Sequence, residues 1–77
     1  MMAHWVDVHV GQMIKHYRTD LRLSQGDLGR KVRVSFQLIQ KYEIGSNRVS
    51  ASRLFEIAVA LGVEPQDLLP QVADQAA

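Results

Sequence analysis

Gln37, Gln40 and Lys41 fall within about one helical turn of each other in the stretch Phe36-Gln37-Leu38-Ile39-Gln40-Lys41-Tyr42-Glu43. Two primary amides and an ammonium at that spacing have a definite chemistry. A Gln can bond adenine N6 and N7 together, a Lys can reach guanine O6 and N7, and either can take a phosphate oxygen. The three groups must then share one side of a rigid rod. On a wheel of about 100° per residue, turning Ile39 and Tyr42 inward points Gln37 and Lys41 outward, with Gln40 beside them. Phe36 lies in the first turn nearer the core edge, where it could press on a thymine methyl or simply cover the core.

The residues on either side supply the elements that would hold this rod. Ser24 can cap a helix over Gln25 to Val32, and Asp27 three residues on completes a capping box, with Leu23 and Leu28 as the hydrophobic staple. Leu28 and Val32 give that helix an i, i+4 apolar stripe, and Gly29 lets a neighbour approach closely. Val34, Ser35 and Ile39 repeat the apolar–Ser–apolar start for a helix over Phe36 to Glu43. Val49, Ser50 and Leu54 repeat it again; Leu54, Ile57, Ala58 and Leu61 follow at helical spacing, and Gly62 is placed as the C′ terminator. Upstream, Val10, Ile14, Tyr17 and Leu21 predict a first helix from Val8 to Arg22, with Asp7 as its cap. Downstream, Pro65 opens a short helical turn holding Leu68 and Leu69, which Pro70 closes. No segment sustains period-two alternation. The expectation is an all-α, compact five-helix domain over residues 7–70, with an amino-terminal arm at 1–6 and a polar tail at 71–77.

Seventy-seven residues allow one small domain, which buries only about 60% of its unfolded surface. With no Cys there is no disulfide framework and no thiolate metal site. His4, His9 and His16 do not share one face of one helical turn, and no carboxylate pair completes a site, so no metal is expected. There is no nucleophile–base pair, paired catalytic carboxylates or glycine-rich phosphate loop, which argues against an enzyme or a cofactor. No apolar run approaches the roughly 20 residues that span a bilayer, and the first residues lack a signal-peptide layout; cytoplasmic residence is expected. The net charge of +1 hides a segregation. All nine Lys and Arg lie between Lys15 and Arg53 against Asp20, Asp27 and Glu43, a local excess of six, whereas the flanks hold five acids and no base. A middle that binds a polyanion accounts for this pattern.

The segment from Ser24 to Gly45 resembles the helix-turn-helix of the phage repressor/Cro family, the Xre type of bacterial and phage transcription regulators. Gln25, Gly29, Leu28, Val32, Val34, Ile39, Tyr42 and Glu43 match its pattern, and the likeness runs from about Val10 to Leu69. One departure is Arg33, where the family usually has Gly in the turn; a left-handed conformation there would cost Arg roughly 1–2 kcal/mol. The resemblance implies a lambda-repressor-like fold with the helix-turn-helix at helices two and three. It implies sequence-specific binding of double-stranded DNA by a small transcriptional regulator, a repressor acting as a homodimer on a palindromic operator. It also implies phosphate contacts from Gln25, at a helix amino terminus that favours anions, and from Asn47 and Arg48 in the loop after the recognition helix.

Ser35 joins the DNA-contact candidates at the start of that helix. Arg53 does so more weakly, as a cation opposing a helix dipole, and Tyr42 through a hydroxyl that could emerge from a buried ring. The expected dimer surface is Val63, Leu68 and Leu69, at the end away from helix three. Three other roles fit the same residues: an antitoxin that also masks a toxin, a restriction–modification controller, and a protein-interaction module without DNA contact.

Overall fold

Three serines start three helices. Ser24, Ser35 and Ser50 are extended, and each hydroxyl accepts from the backbone N–H three residues on, of Asp27, Leu38 and Arg53, at 2.9, 3.2 and 3.2 Å. Each such cap stabilises its helix by about 0.5–2 kcal/mol. The helices they open are α2 (Gln25–Val32), α3 (Phe36–Glu43) and α4 (Ala51–Leu61), preceded by α1 (Trp5–Asp20). The computed structural model describes residues 3–73, and among these no strand occurs. In place of a fifth α-helix, Pro65–Leu68 forms one 3-10 turn, since the span from Pro65 to Pro70 leaves no room for a longer element.

α1 departs from expectation at both ends. It begins at Trp5 because His4 is the cap: its Nδ1 accepts from the Val6 N–H at 3.1 Å. Trp5 and Val6 therefore belong to the helix rather than to an arm, and Asp7 sits in the first turn instead of capping it. The helix stops at Asp20 because Arg22 turns left-handed at φ 59°. The Arg22 N–H then bonds the Thr19 carbonyl at 2.9 Å and the Leu23 N–H the Arg18 carbonyl at 3.1 Å, the Schellman arrangement. Leu21, expected in the stripe, lies outside this last turn and is half exposed, and Arg18 is buried in its stead.

Every element contributes one large, fully buried side chain to a single core: Ile14, Leu28, Ile39, Ile57 and Leu68. The burial of Leu68 corrects the expected dimer surface, because a side chain with 0% exposure is a core residue and cannot meet a partner. Two glycines set the helix spacing. A Cβ on Gly11 would lie 2.1 Å from the Tyr42 carbonyl oxygen, so α1 crosses the end of α3 backbone to backbone. A Cβ on Gly29 would lie 2.6 Å from the Val34 carbonyl oxygen; this glycine admits the turn between α2 and α3. Arg33 does adopt the left-handed conformation, φ 62° and ψ 44°, with the Val34 N–H bonded to the Gly29 carbonyl at 2.9 Å. The turn thus keeps the shape that glycine would give it, at the strain cost to Arg. None of the described helices is long and apolar enough to cross a membrane.

Candidate nucleic-acid interface

Burial of Ile39 and Tyr42 fixes the rotation of α3. Gln37, Gln40 and Lys41 are exposed on its other side and Phe36 at the edge of the buried face, while Leu38 is half-buried against the core. Among the described residues the side chains of Gln37, Gln40 and Lys41 have no bonding partner in the protein. An amide without an internal partner keeps its full set of donors and acceptors for an external one. The Phe36 ring is about half exposed, between the two roles the sequence left open.

The rest of the surface is tied to α3. Its last turn carries the following loop: the Lys41 carbonyl accepts from the Ser46 N–H at 3.0 Å, the Ser46 hydroxyl at 3.2 Å and the Asn47 N–H at 3.3 Å. Asn47 and Arg48 are both exposed there. At the other end, Ser35 uses its hydroxyl oxygen to cap the helix, which leaves the hydroxyl hydrogen to donate outward. Tyr42 is only 5% exposed, as a core residue should be. Its hydroxyl makes no hydrogen bond, yet no described buried polar side-chain atom lacks a partner, so the oxygen must reach solvent.

Two expected phosphate ligands are differently engaged. Gln25 is half-buried, and its Nε2 donates to Glu43 Oε1 at 3.0 Å. One amide hydrogen and its backbone N–H, in the first turn of α2, remain for an anion. Arg53 donates from Nη1 to the Val32 carbonyl at 2.9 Å and approaches Glu56 at 3.6 Å. That guanidinium closes the open end of α2, so its position opposite the dipole of α4 has an internal explanation and needs no external anion.

A buried polar junction stands behind this surface, and sequence reasoning missed it. Arg18 of α1 donates from Nε to Glu43 Oε2 at 2.6 Å, from Nη2 to Glu43 Oε1 at 2.9 Å, and from Nη1 to the Leu23 carbonyl at 2.7 Å. With Gln25 it joins α1, α2 and α3 through one carboxylate. The bonded Glu43 carboxylate raises the Arg18 guanidinium above its ordinary value, against the opposing effect of burial. The signal was present: Arg18 stands four residues after Ile14, on the apolar stripe, and a base there needs an interior acid. At the start of α2, the Ser24 backbone N–H and hydroxyl hold Asp27 below the usual carboxylate value. Also unforeseen are Phe55 and Val59, one turn apart on α4, 59% and 64% exposed. Of the expected dimer residues, Leu69 is partly exposed and Val63 is half-buried against the core.

Known proteins share this architecture. A relative from Rhodospirillum rubrum, described as an uncharacterized transcriptional regulator in the ATPase CF(0) region, is 60% identical over 60 residues, 78% of this chain and 56% of its own. The chain spans about half the length of the curated relatives it matches. Among solved structures, the restriction-modification controller protein C.AhdI from Aeromonas hydrophila superimposes with a TM-score of 0.78 at 30% identity, covering 82% of this chain and 96% of that one. The DNA-binding domain of BldD gives 0.80 at 31% identity over 90% and 100%. The helix-turn-helix family profile matches residues 14–68, from the middle of α1 through the 3-10 turn, and the chain belongs to this Xre-type helix-turn-helix family.

Proposed function

We propose that this chain is the DNA-reading part of a transcriptional repressor that binds a palindromic operator as a homodimer. The observation that carries the proposal is the unpartnered face of α3, with Gln37, Gln40 and Lys41 exposed and the opposite side locked by Ile39 and Tyr42. In the major groove Gln37 and Lys41 read base edges, assisted by Gln40 and Phe36. Gln25, Ser35, the Tyr42 hydroxyl, Asn47 and Arg48 hold the backbone, and Arg53 is left out of this set. Each good bidentate pair gives about 1–3 kcal/mol of discrimination, so one short helix is too little for a unique site. A domain whose longest extent is 36 Å can meet a second copy at half-sites about 34–36 Å apart. Leu69 and Val63 are the dimer surface we assign, with the Phe55–Val59 strip as its competitor.

Selection of bound duplexes from a random pool tests both parts: a palindromic consensus is expected, and a single asymmetric site would refute the dimer. Gln37→Ala should weaken binding to the selected site by about 5- to 150-fold and to random duplex far less. Equal losses on both would remove Gln37 as a base reader. The likeness to C.AhdI supports a second reading, a restriction–modification controller. A methyltransferase or endonuclease reading frame beside the gene would favour it; an adjacent toxin frame would favour an antitoxin.

A further inference from the structure

From the geometry around Arg48 we infer that Asp7 is a positioning residue: it grips one edge of the Arg48 guanidinium and aims the other edge at the DNA backbone. The inference rests on the reading of Arg48 as a phosphate ligand and adds a residue from α1 to that contact. Arg48 Nε lies 3.1 Å from Asp7 Oδ2 and 3.3 Å from Oδ1. A guanidinium carries five N–H donors in a rigid fork, and this contact uses the one on Nε. Among the described residues neither Nη makes a hydrogen bond, so four donors remain, three of them pointing away from the edge that Asp7 holds.

The two partners are unequal in a useful way. The Asp7 side chain is 15% exposed, held in the first turn of α1, where the helix dipole favours its charge. The Arg48 side chain is 72% exposed and projects from the loop that α3 carries. A fixed carboxylate holding a mobile cation restricts its rotamers before DNA arrives, which lowers the ordering cost of binding. The same carboxylate repels a nearby phosphate by simple Coulomb interaction. The two effects act in opposite directions, and that makes the role measurable.

The test uses the full chain and a mixed-sequence duplex of about two helical turns. Arg48→Ala should lower affinity and flatten the dependence of log K on log salt by about 0.9. Asp7→Ala removes a negative charge, yet affinity should fall by about 2- to 12-fold as the guanidinium loses its anchor. Asp7→Asn keeps an acceptor for Nε without the charge and should bind at least as well as the wild type. In the Arg48→Ala background, Asp7→Ala should no longer weaken binding. Tighter or unchanged binding by Asp7→Ala with Arg48 present overturns the inference. So does an Arg48→Ala protein with unaltered affinity and slope, which instead refutes the reading beneath it. Should Asp7→Ala not fold, the Arg48 Nε–H resonance of the wild type decides. Its exchange with water should remain slow when duplex is added, and acceleration to the rate of a free arginine would show that DNA displaces Asp7 rather than using it.

Discussion

Replacing Glu43 by Gln should remove much of the stability of the domain while hardly changing its shape. The carboxylate is 2% exposed and accepts two bonds from Arg18 and one from Gln25. An amide of the same size keeps one acceptor oxygen but no charge. The Arg18 guanidinium, 9% exposed, then stays charged inside the protein with the Leu23 carbonyl and half of its former acceptor. Breaking a buried pair in this way costs about 3–5 kcal/mol. A chain of 77 residues has about 4–12 kcal/mol in total at 0.05–0.15 kcal/mol per residue, so the variant sits near the edge of folding. At roughly 4–8 °C per kcal/mol for this size, the thermal midpoint should fall by more than about 12 °C. Urea titration and thermal scans, each followed by helical circular dichroism, measure the two quantities. The paired replacement Arg18→Met with Glu43→Leu removes both charges and should recover most of the loss, ending within about 2 kcal/mol of the wild type. A cost below about 1 kcal/mol for Glu43→Gln would mean that water screens the pair and would refute the junction as an energetic hub.

Two further perturbations follow from the backbone and the caps. Arg33→Gly relieves about 1–2 kcal/mol of left-handed strain and gives back about 0.4–1 through the freer unfolded chain; the urea midpoint should rise slightly, and a fall would show that the Arg33 side chain stabilises the turn. The Asp27 carboxyl is held by Ser24 below its unfolded value of 3.8, so its stabilisation is complete above that pH and is lost as pH falls through the lower folded value. The stability gap between wild type and Asp27→Asn should therefore be constant near neutrality and shrink below pH 3.8; a gap independent of pH would refute the charged capping box.

The legible parts of this molecule were those encoded within a few residues. Ser24, Ser35 and Ser50 announce helices because a cap and its staple lie within five residues of each other, and the amides of α3 follow from the rotation that Ile39 and Tyr42 impose. Ring nitrogens seldom serve as caps, so any start for α1 chosen from Ser, Thr, Asp or Asn falls on Asp7 and passes over His4. Periodicity cannot rank apolar residues in a four-residue turn, and only packing against the other helices decides which of Leu68 and Leu69 faces in. The Arg18–Glu43 pair spans 25 positions and the Asp7–Arg48 contact 41, separations no local pattern can report.

These two long-range pairs also alter what the charge map means. The excess of bases between Lys15 and Arg53 survives burial, since Arg18 and Glu43 leave the surface together as one cation and one anion. The acidic flank does not stay apart from it: the fold brings Asp7 back onto Arg48, and Arg53 turns inward to Val32. The positive field available to a polyanion is therefore narrower than the sequence implies. The exposed Lys41 on α3 and the far edge of Arg48 in the loop after it lie within that field, on the segment that also carries Gln37 and Gln40. Under the proposed DNA reading, phosphate contacts restricted in this way set the register of a short helix more strictly than a broad basic surface would, because fewer shifted positions satisfy the same cations.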